Sequence, residues 1–248
     1  MLEYAEVNLT PDPIKFIVRT EPDCLGVGRD PRGVDGFQCL IYKDGGFSNI
    51  PEHFFESWRN YCKTPGTLYI GRCSSFGVGS SIRFSEPDEI VRVGRYVSAG
   101  IETRLMCSGF HETRAISTCE FGSYDKDINH GMQRKFPEIL IKNDIWIGDE
   151  CMIMPDSIIN DGCVIGARSL IPLHFRSEPY GVYAGHPAKL IKFRFSEKIR
   201  EALVDISWWD KPFKWVKENN KYFIVDLTAD EGCALEVLKE LKCQMPID

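Results

Sequence analysis

The sequence predicts a mainly β chain: a prism of short parallel strands, with a small α/β cap before it and helices after it. Three observations predict this. An isoleucine recurs at every sixth residue, at Ile141, Ile147, Ile153, Ile159, Ile165 and Ile171, without a slip. The same step spaces Ile70, Phe76 and Ile82 and then, after a gap of eleven residues, Val93, Ala99 and Leu105. Helical spacing is clearest after Ser196, where Ile199, Ala202, Leu203 and Ile206 share one face.

The period itself selects the architecture. Six residues turn an α-helix through about 600°, so successive anchors would drift by about 120° around it. A strand with period two keeps them aligned, but the recurring Gly, Asp and Asn break any long strand. A short strand and a corner, repeated, satisfies both. Three such units close a triangular coil, and the twelve anchors make about four coils, a stack about 19 Å tall at the usual strand spacing. The isoleucines then line the interior. Small residues follow them, as in Ile147-Gly148 and Ile165-Gly166, and let the backbone turn. Four residues after the isoleucine stands another compact side chain: Cys151, Ser157, Cys163 or Ser169.

Taken in order, residues 1–65 lack the period and read as an α/β cap. Phe16 to Arg19 and Phe37 to Tyr42 are candidate strands. Ser48-Asn49-Ile50-Pro51 reads as a helix start, with Phe54, Phe55 and Trp58 as its apolar face and His53 on it. Gly26-Val27-Gly28 lacks the further glycine of a dinucleotide fingerprint and reads as a loop turn. The prism spans 66–195. From Phe110 to Leu140 the period vanishes, and a loop this long is usually functional or disordered. It begins at His111 and carries Phe121, Tyr124, Asp125, His130 and Phe136. The region 196–248 is helical, apart from a strand-like Tyr222 to Leu227. Thr228-Ala229-Asp230-Glu231 forms a capping box before a last helix. These helices are expected to cover the open end of the prism.

Composition excludes several classes. The formal net charge of −6 argues against a nucleic-acid or anionic-membrane binder, which needs a basic face. No apolar run approaches the roughly 18–20 residues of a membrane span. Met1 to Thr10, with Glu3 and Glu6, does not read as a signal peptide. The ten cysteines are scattered and include no C-x-x-C pair, so reduced thiols in the cytoplasm and no structural zinc are expected.

Three segments carry a family resemblance. The first is His111 with Ser117-Thr118-Cys119-Glu120-Phe121. The second is Asn143-Asp144-Ile145-Trp146-Ile147-Gly148, continuing to Ile153-Met154-Pro155. The third is Ala184-Gly185-His186-Pro187-Ala188-Lys189 with Arg194-Phe195 and Trp208-Trp209. Over about residues 66–210 the chain resembles the left-handed β-helix hexapeptide-repeat acyltransferases, and within them the xenobiotic acetyltransferases that include the chloramphenicol and streptogramin enzymes. It departs from that pattern in carrying Glu120 where proline is usual and His186 where asparagine is usual.

The resemblance implies a homotrimer with acetyl-CoA, or another acyl-CoA, in a groove between subunits, and no metal. It implies direct acyl transfer to a small hydroxylated acceptor, an antibiotic or a sugar, with His111 as general base. A neutral imidazole suits that role near neutral pH. By position, Trp146 flanks the thioester end, Ala167, Arg168 and Gly185 line the pantetheine groove, and Pro187 shapes its end. Lys189 and Lys192 face the cofactor phosphates, and Phe121 and Tyr124 face the acceptor. A covalent route through Cys107 or Cys119 is a minor alternative. Other readings are an N-acyltransferase of an amino sugar or nucleotide sugar in surface-glycan synthesis, and a non-catalytic trimeric scaffold. A β-helix carbonic anhydrase would need three zinc-binding histidines, and the chain has no His-x-x-x-x-His spacing.

Overall fold

The computed structural model describes residues 3–9, 17–55, 66–125, 127–128 and 138–245. The N-terminal strands are β1 (Ala5–Val7), β2 (Ile17–Thr20), β3 (Cys24–Gly28), β4 (Phe37–Tyr42) and β5 (Phe47–Pro51). Four coils follow, each of three short strands. They are β6 (Thr67–Ile70), β7 (Ser75–Phe76) and β8 (Ser81–Arg83); β9 (Ile90–Val93), β10 (Ser98–Ala99) and β11 (Arg104–Met106); β12 (Ile139–Ile141), β13 (Trp146–Ile147) and β14 (Met152–Ile153); β15 (Ile158–Ile159), β16 (Val164–Ile165) and β17 (Leu170–Ile171). Strands β18 (Gly181–Gly185) and β19 (Ala188–Phe193) form an antiparallel hairpin.

The coils stack in parallel and in register as three sheets. The first sheet has the order β1-β2-β6-β9-β12-β15, the second β19-β18-β16-β13-β10-β7-β5-β4-β3, and the third β17-β14-β11-β8. Each six-residue anchor points inward. Ile70, Val93, Ile141 and Ile159 line the first sheet; Phe76, Ala99, Ile147, Ile165 and Tyr183 the second; Ile82, Leu105, Ile153 and Ile171 the third, all buried in one core. Full burial of each aliphatic chain is worth about 1.5–3 kcal/mol, so the column is the main source of stability.

The corners follow a rule of their own. The backbone enters the left-handed region at Cys73, Tyr96, Asp144 and Tyr180 on the first-to-second edge, at Glu102, Glu150 and Arg168 on the second-to-third edge, and at Asp156 and His174 on the third-to-first edge. Each such residue costs roughly 1–2 kcal/mol, which the stacked coils on either side offset. The compact side chains tie coil to coil: the Cys151 thiol donates to the Gly166 carbonyl at 3.2 Å, and the Ser157 hydroxyl to that of Pro172 at 3.1 Å. At Gly148 a Cβ would sit 2.5 Å from the Ala167 nitrogen of the next coil, so only glycine fits.

The N-terminal region differs from the expected α/β cap. Its described residues hold strands and no helix, and two of these strands extend the prism: β2 pairs in parallel with β6, and β5 with β7. Ser48, expected to start a helix, lies in β5, where its hydroxyl donates to the Gly71 carbonyl at 2.8 Å instead of capping a turn. His53, Phe54 and Phe55 sit in the turn that follows, while Trp58 and Phe16 lie outside the described residues. Gly26-Val27-Gly28 is not a loop turn but part of β3, irregularly paired with β4.

The C-terminal helices are α1 (Glu197–Ile206), α2 (Phe213–Glu218), α3 (Asn220–Phe223) and α4 (Glu231–Cys243). They pack along the first-to-second edge of the prism rather than over its end. Trp208 stacks on Tyr96 with centroids 4.6 Å apart, Arg95 binds Asp210 at 2.5 Å, and Phe195 meets Tyr180 at 5.8 Å. Phe213 lies against Gly45 and Gly46. Tyr222 to Leu227 is helix α3 and a turn, not a strand. Asp230, not Thr228, caps α4, accepting the Cys233 N–H at 2.7 Å; Thr228 is held by the Asp226 carboxylate. Among the described residues no helix is long and apolar enough to cross a membrane.

Candidate active site

The long loop leaves the prism after β11, at the third-to-first edge, and returns at β12. Its root is tied to the coil below, where the Cys107 N–H donates to the Arg83 carbonyl at 3.1 Å. His111 stands exposed five residues beyond β11, and its Nδ1 lies 2.7 Å from the Thr118 carbonyl oxygen. A carbonyl only accepts, so Nδ1 is the donor here, and in the neutral ring the lone pair then falls on Nε2. That is the tautomer a general base needs. The Glu112 carboxylate grips the Arg114 guanidinium and its backbone N–H, at 2.8 Å for each of two contacts, and fixes the turn between His111 and Thr118.

Phe121 opens a short 3-10 turn, Phe121–Ser123, and is 48% exposed, while Tyr124 beyond it is 85% exposed. The His111 loop thus leaves two aromatic rings with apolar faces open to solvent. His130 and Phe136 lie outside the described residues. Cys107 is buried, and that burial pushes its thiol well above the ordinary range, which removes it as a nucleophile. Cys119 is exposed, with its N–H on the Ser117 hydroxyl at 3.1 Å.

The other predicted residues assemble on the second sheet and its edge with the third. Trp146 points outward from β13 and is 61% exposed. It pairs with Val164, Val164 with Val182, and Val182 with Lys192. Trp146 and Lys192 therefore share one outer stripe, three strands or about 14 Å apart. Lys189 pairs with Ala184 on the same outer face. Ala167 and Arg168 form the exposed corner between β16 and β17, and Arg168 is held by Glu150 at 3.1 Å. The Gly185 N–H meets the Ser169 hydroxyl of that corner at 3.2 Å, and His186 and Pro187 form the hairpin turn beyond it.

Close approach at this edge depends on small side chains. A Cβ on Gly166 would lie 2.9 Å from the Ala184 methyl, and one on Gly185, at φ +107°, would meet the Pro187 carbonyl oxygen at 3.4 Å. The edge thus presents closely approached backbone, with the exposed Lys189 and Lys192 of the hairpin beside it. Two residues not singled out from the sequence extend the edge. Val78 and Ile101 are exposed at the corners equivalent to Ala167, each directly after a glycine. Their position in the hexad is the signal that could have found them.

The loop that carries His111 leaves at the third-to-first edge, whereas Trp146 lies on the second face and Ala167 at the second-to-third edge, so the third face separates the root of the loop from them.

Comparison with known proteins gives the following. A family profile described as bacterial transferase hexapeptide (six repeats) matches residues 138–172. A chloramphenicol acetyltransferase of Escherichia coli is 46% identical over 81 residues, 33% of this chain and 38% of that protein. One of Agrobacterium fabrum is 32% identical over 160 residues, 61% of this chain and 76% of that protein. A probable macrolide acetyltransferase of Lysinibacillus sphaericus is 45% identical over 95 residues, 38% of this chain and 49% of that protein. The chain thus spans little more than a third of the length of the Escherichia coli relative and three quarters of the Agrobacterium one.

Proposed function

Because the chain belongs to the hexapeptide-repeat acetyltransferase family that contains the chloramphenicol acetyltransferases, we propose that it is an acyl-CoA-dependent O-acyltransferase, with acetyl-CoA as donor and a small hydroxylated acceptor such as an antibiotic or a sugar. The observation that carries this reading is the His111 ring, whose Nδ1 is occupied by the Thr118 carbonyl and whose Nε2 is left as an exposed base.

In the proposed step the acceptor hydroxyl gives its proton to His111 Nε2 as its oxygen attacks the thioester carbonyl. A backbone N–H stabilises the oxyanion. The C–S bond then breaks, and the imidazolium returns the proton to the leaving thiolate. A base positioned in this way contributes about 10²–10⁴-fold. Trp146 flanks the thioester, the Ala167–Gly185 edge takes the pantetheine arm, Lys189 and Lys192 take the phosphates, and Phe121 and Tyr124 bound the acceptor.

The same reading makes the prism left-handed, as in the family, and the assembly a cytoplasmic homotrimer. The separation of the root of the His111 loop from the Trp146 and Ala167 side supports a trimer. A threefold arrangement brings the loop of one prism to the groove edge of the next, and it covers Val78, Ile101 and Trp146, which a monomer leaves exposed.

The test is CoA thiol release from acetyl-CoA across hydroxylated drugs, amino sugars and glycans, with His111→Ala in parallel. Turnover on a hydroxyl acceptor that falls at least 100-fold in the variant is expected. Turnover that survives the substitution rejects His111 as base; exclusive turnover on amines rejects O-acylation.

A further inference from the structure

Resting on that reading of His111, we propose that Arg83 is its positioning residue. Arg83 ends β8, in the coil beneath the point where the loop departs, and lies opposite Met106 of β11. Its carbonyl accepts the Cys107 N–H at 3.1 Å and the Ser108 hydroxyl at 3.3 Å. The Ser85 hydroxyl, two residues on, donates to that of Ser108 at 2.7 Å. The side chain then continues under the loop. Its guanidinium lies flat against Gly109, so close that a Cβ there would sit 2.5 Å from Cζ and 2.7 and 2.8 Å from the two terminal nitrogens. Gly109 also has φ +95°, a conformation that side-chain-bearing residues rarely adopt. The chain therefore passes over the Arg83 plate in a form available only to glycine, and two residues later it presents His111.

This arrangement positions the base. A planar, rigid group fixes the direction in which Phe110 and His111 leave the prism, so that the Thr118 carbonyl at the far side of the turn only has to orient the ring.

The experiment compares Arg83→Ala and Arg83→Lys with His111→Ala, recording kcat, both KM values and the thermal midpoint. Arg83→Ala is expected to lower kcat by about 10- to 100-fold, the scale of a misplaced catalytic group. Its acetyl-CoA KM should stay within about twofold, a split between kcat and KM that a merely structural arginine would not give. Arg83→Lys keeps the charge but not the plate, so it should lose kcat as well. If Arg83→Ala does not fold, Gly109→Ala, whose Cβ displaces the guanidinium, should show the same loss of kcat. An Arg83→Ala enzyme with wild-type kcat, beside an inactive His111→Ala, overturns this inference alone. A loss of kcat with the thermal midpoint and acetyl-CoA KM equally damaged overturns it too, in favour of a purely structural arginine. An active His111→Ala overturns the parent reading instead.

Discussion

Replacing Glu21 by glutamine tests how the three regions of the chain are fastened. Glu21 follows β2 and is buried, and it binds two arginines from successive coils. Arg72 donates Nε at 2.9 Å, Nη2 at 2.6 Å and its backbone N–H at 2.9 Å, and Arg95 donates Nε at 2.7 Å. Arg95 continues to Asp210 beside the C-terminal helices at 2.5 Å. Burial acts to raise the Glu21 carboxyl, but the bonds from Arg95 and Arg72 outweigh it and hold it below its ordinary value of 4.5. Glutamine keeps one acceptor oxygen and turns an NH₂ toward a guanidinium. It leaves the two guanidiniums with only their outer partners, Asp23 at 3.7 Å from Arg72 and Asp210 at 2.5 Å from Arg95. Breaking such a pair costs about 3–5 kcal/mol, and Asp210 on the solvent side returns little of it. For a chain of this size that lowers the thermal midpoint by roughly 6–20 °C at pH 7. The sign with pH is fixed by the lowered native value. The contribution is complete above the unfolded value of 4.5 and is lost as pH falls through the native one. Denaturation of wild type and Glu21→Gln from pH 7 down to about 3 should show two curves that converge at the acid end. A difference of constant size across that range would mean that the carboxylate's charge is not what holds the regions together.

Other substitutions probe the opposite case and the site. Burial pushes the Asp144 carboxyl up to about 6, against the pull of Arg194 and with Asp161 adding to the rise. The folded chain keeps a proton that the unfolded chain loses near 3.8, so wild-type stability falls as pH rises from about 4 to 6. Asp144→Asn, which tolerates the left-handed backbone there, should abolish that fall, a relative gain on the order of 1–3 kcal/mol in denaturant midpoints at pH 7. Ala167→Phe fills the groove from an exposed corner, so the acetyl-CoA KM should rise at least tenfold while the thermal midpoint stays within a few degrees. Tyr124→Ala should raise the acceptor KM several-fold and leave the acetyl-CoA KM unchanged, as steady-state kinetics would show.

What the sequence disclosed and what it hid follow from one cause. Where an inward position must be apolar and its corner small, the period is written in the residues. Thus Ile141 through Ile171 all fall inside, on strands two or three residues long. The first layer of the prism follows another rule. There Thr20 and Ser48 are buried but satisfied, by the Ile70 and Gly71 carbonyls at 3.0 and 2.8 Å, so β2 and β5 carry no hexad and Ser48 imitates a helix cap. The C-terminal helices were legible as helices, yet their seat was not. It depends on Tyr96 and Tyr180, corner residues whose outward aromatic rings leave no mark on the six-residue step.

The site divides along the same line. A residue's face is set by its phase within the coil, so Trp146 on the second face and Ala167 on the neighbouring corner are placed by counting alone. His111 is not, because some thirty residues without a period follow its departure from the prism. Phase fixes only the edge from which it leaves, after β11, and that edge is one face away from the groove. On the proposed trimer, rotating a second copy by a third of a turn sets the edge from which the His111 loop leaves against the edge that carries Ala167, so the catalytic unit of that proposal is a contact between two chains rather than a cavity in one.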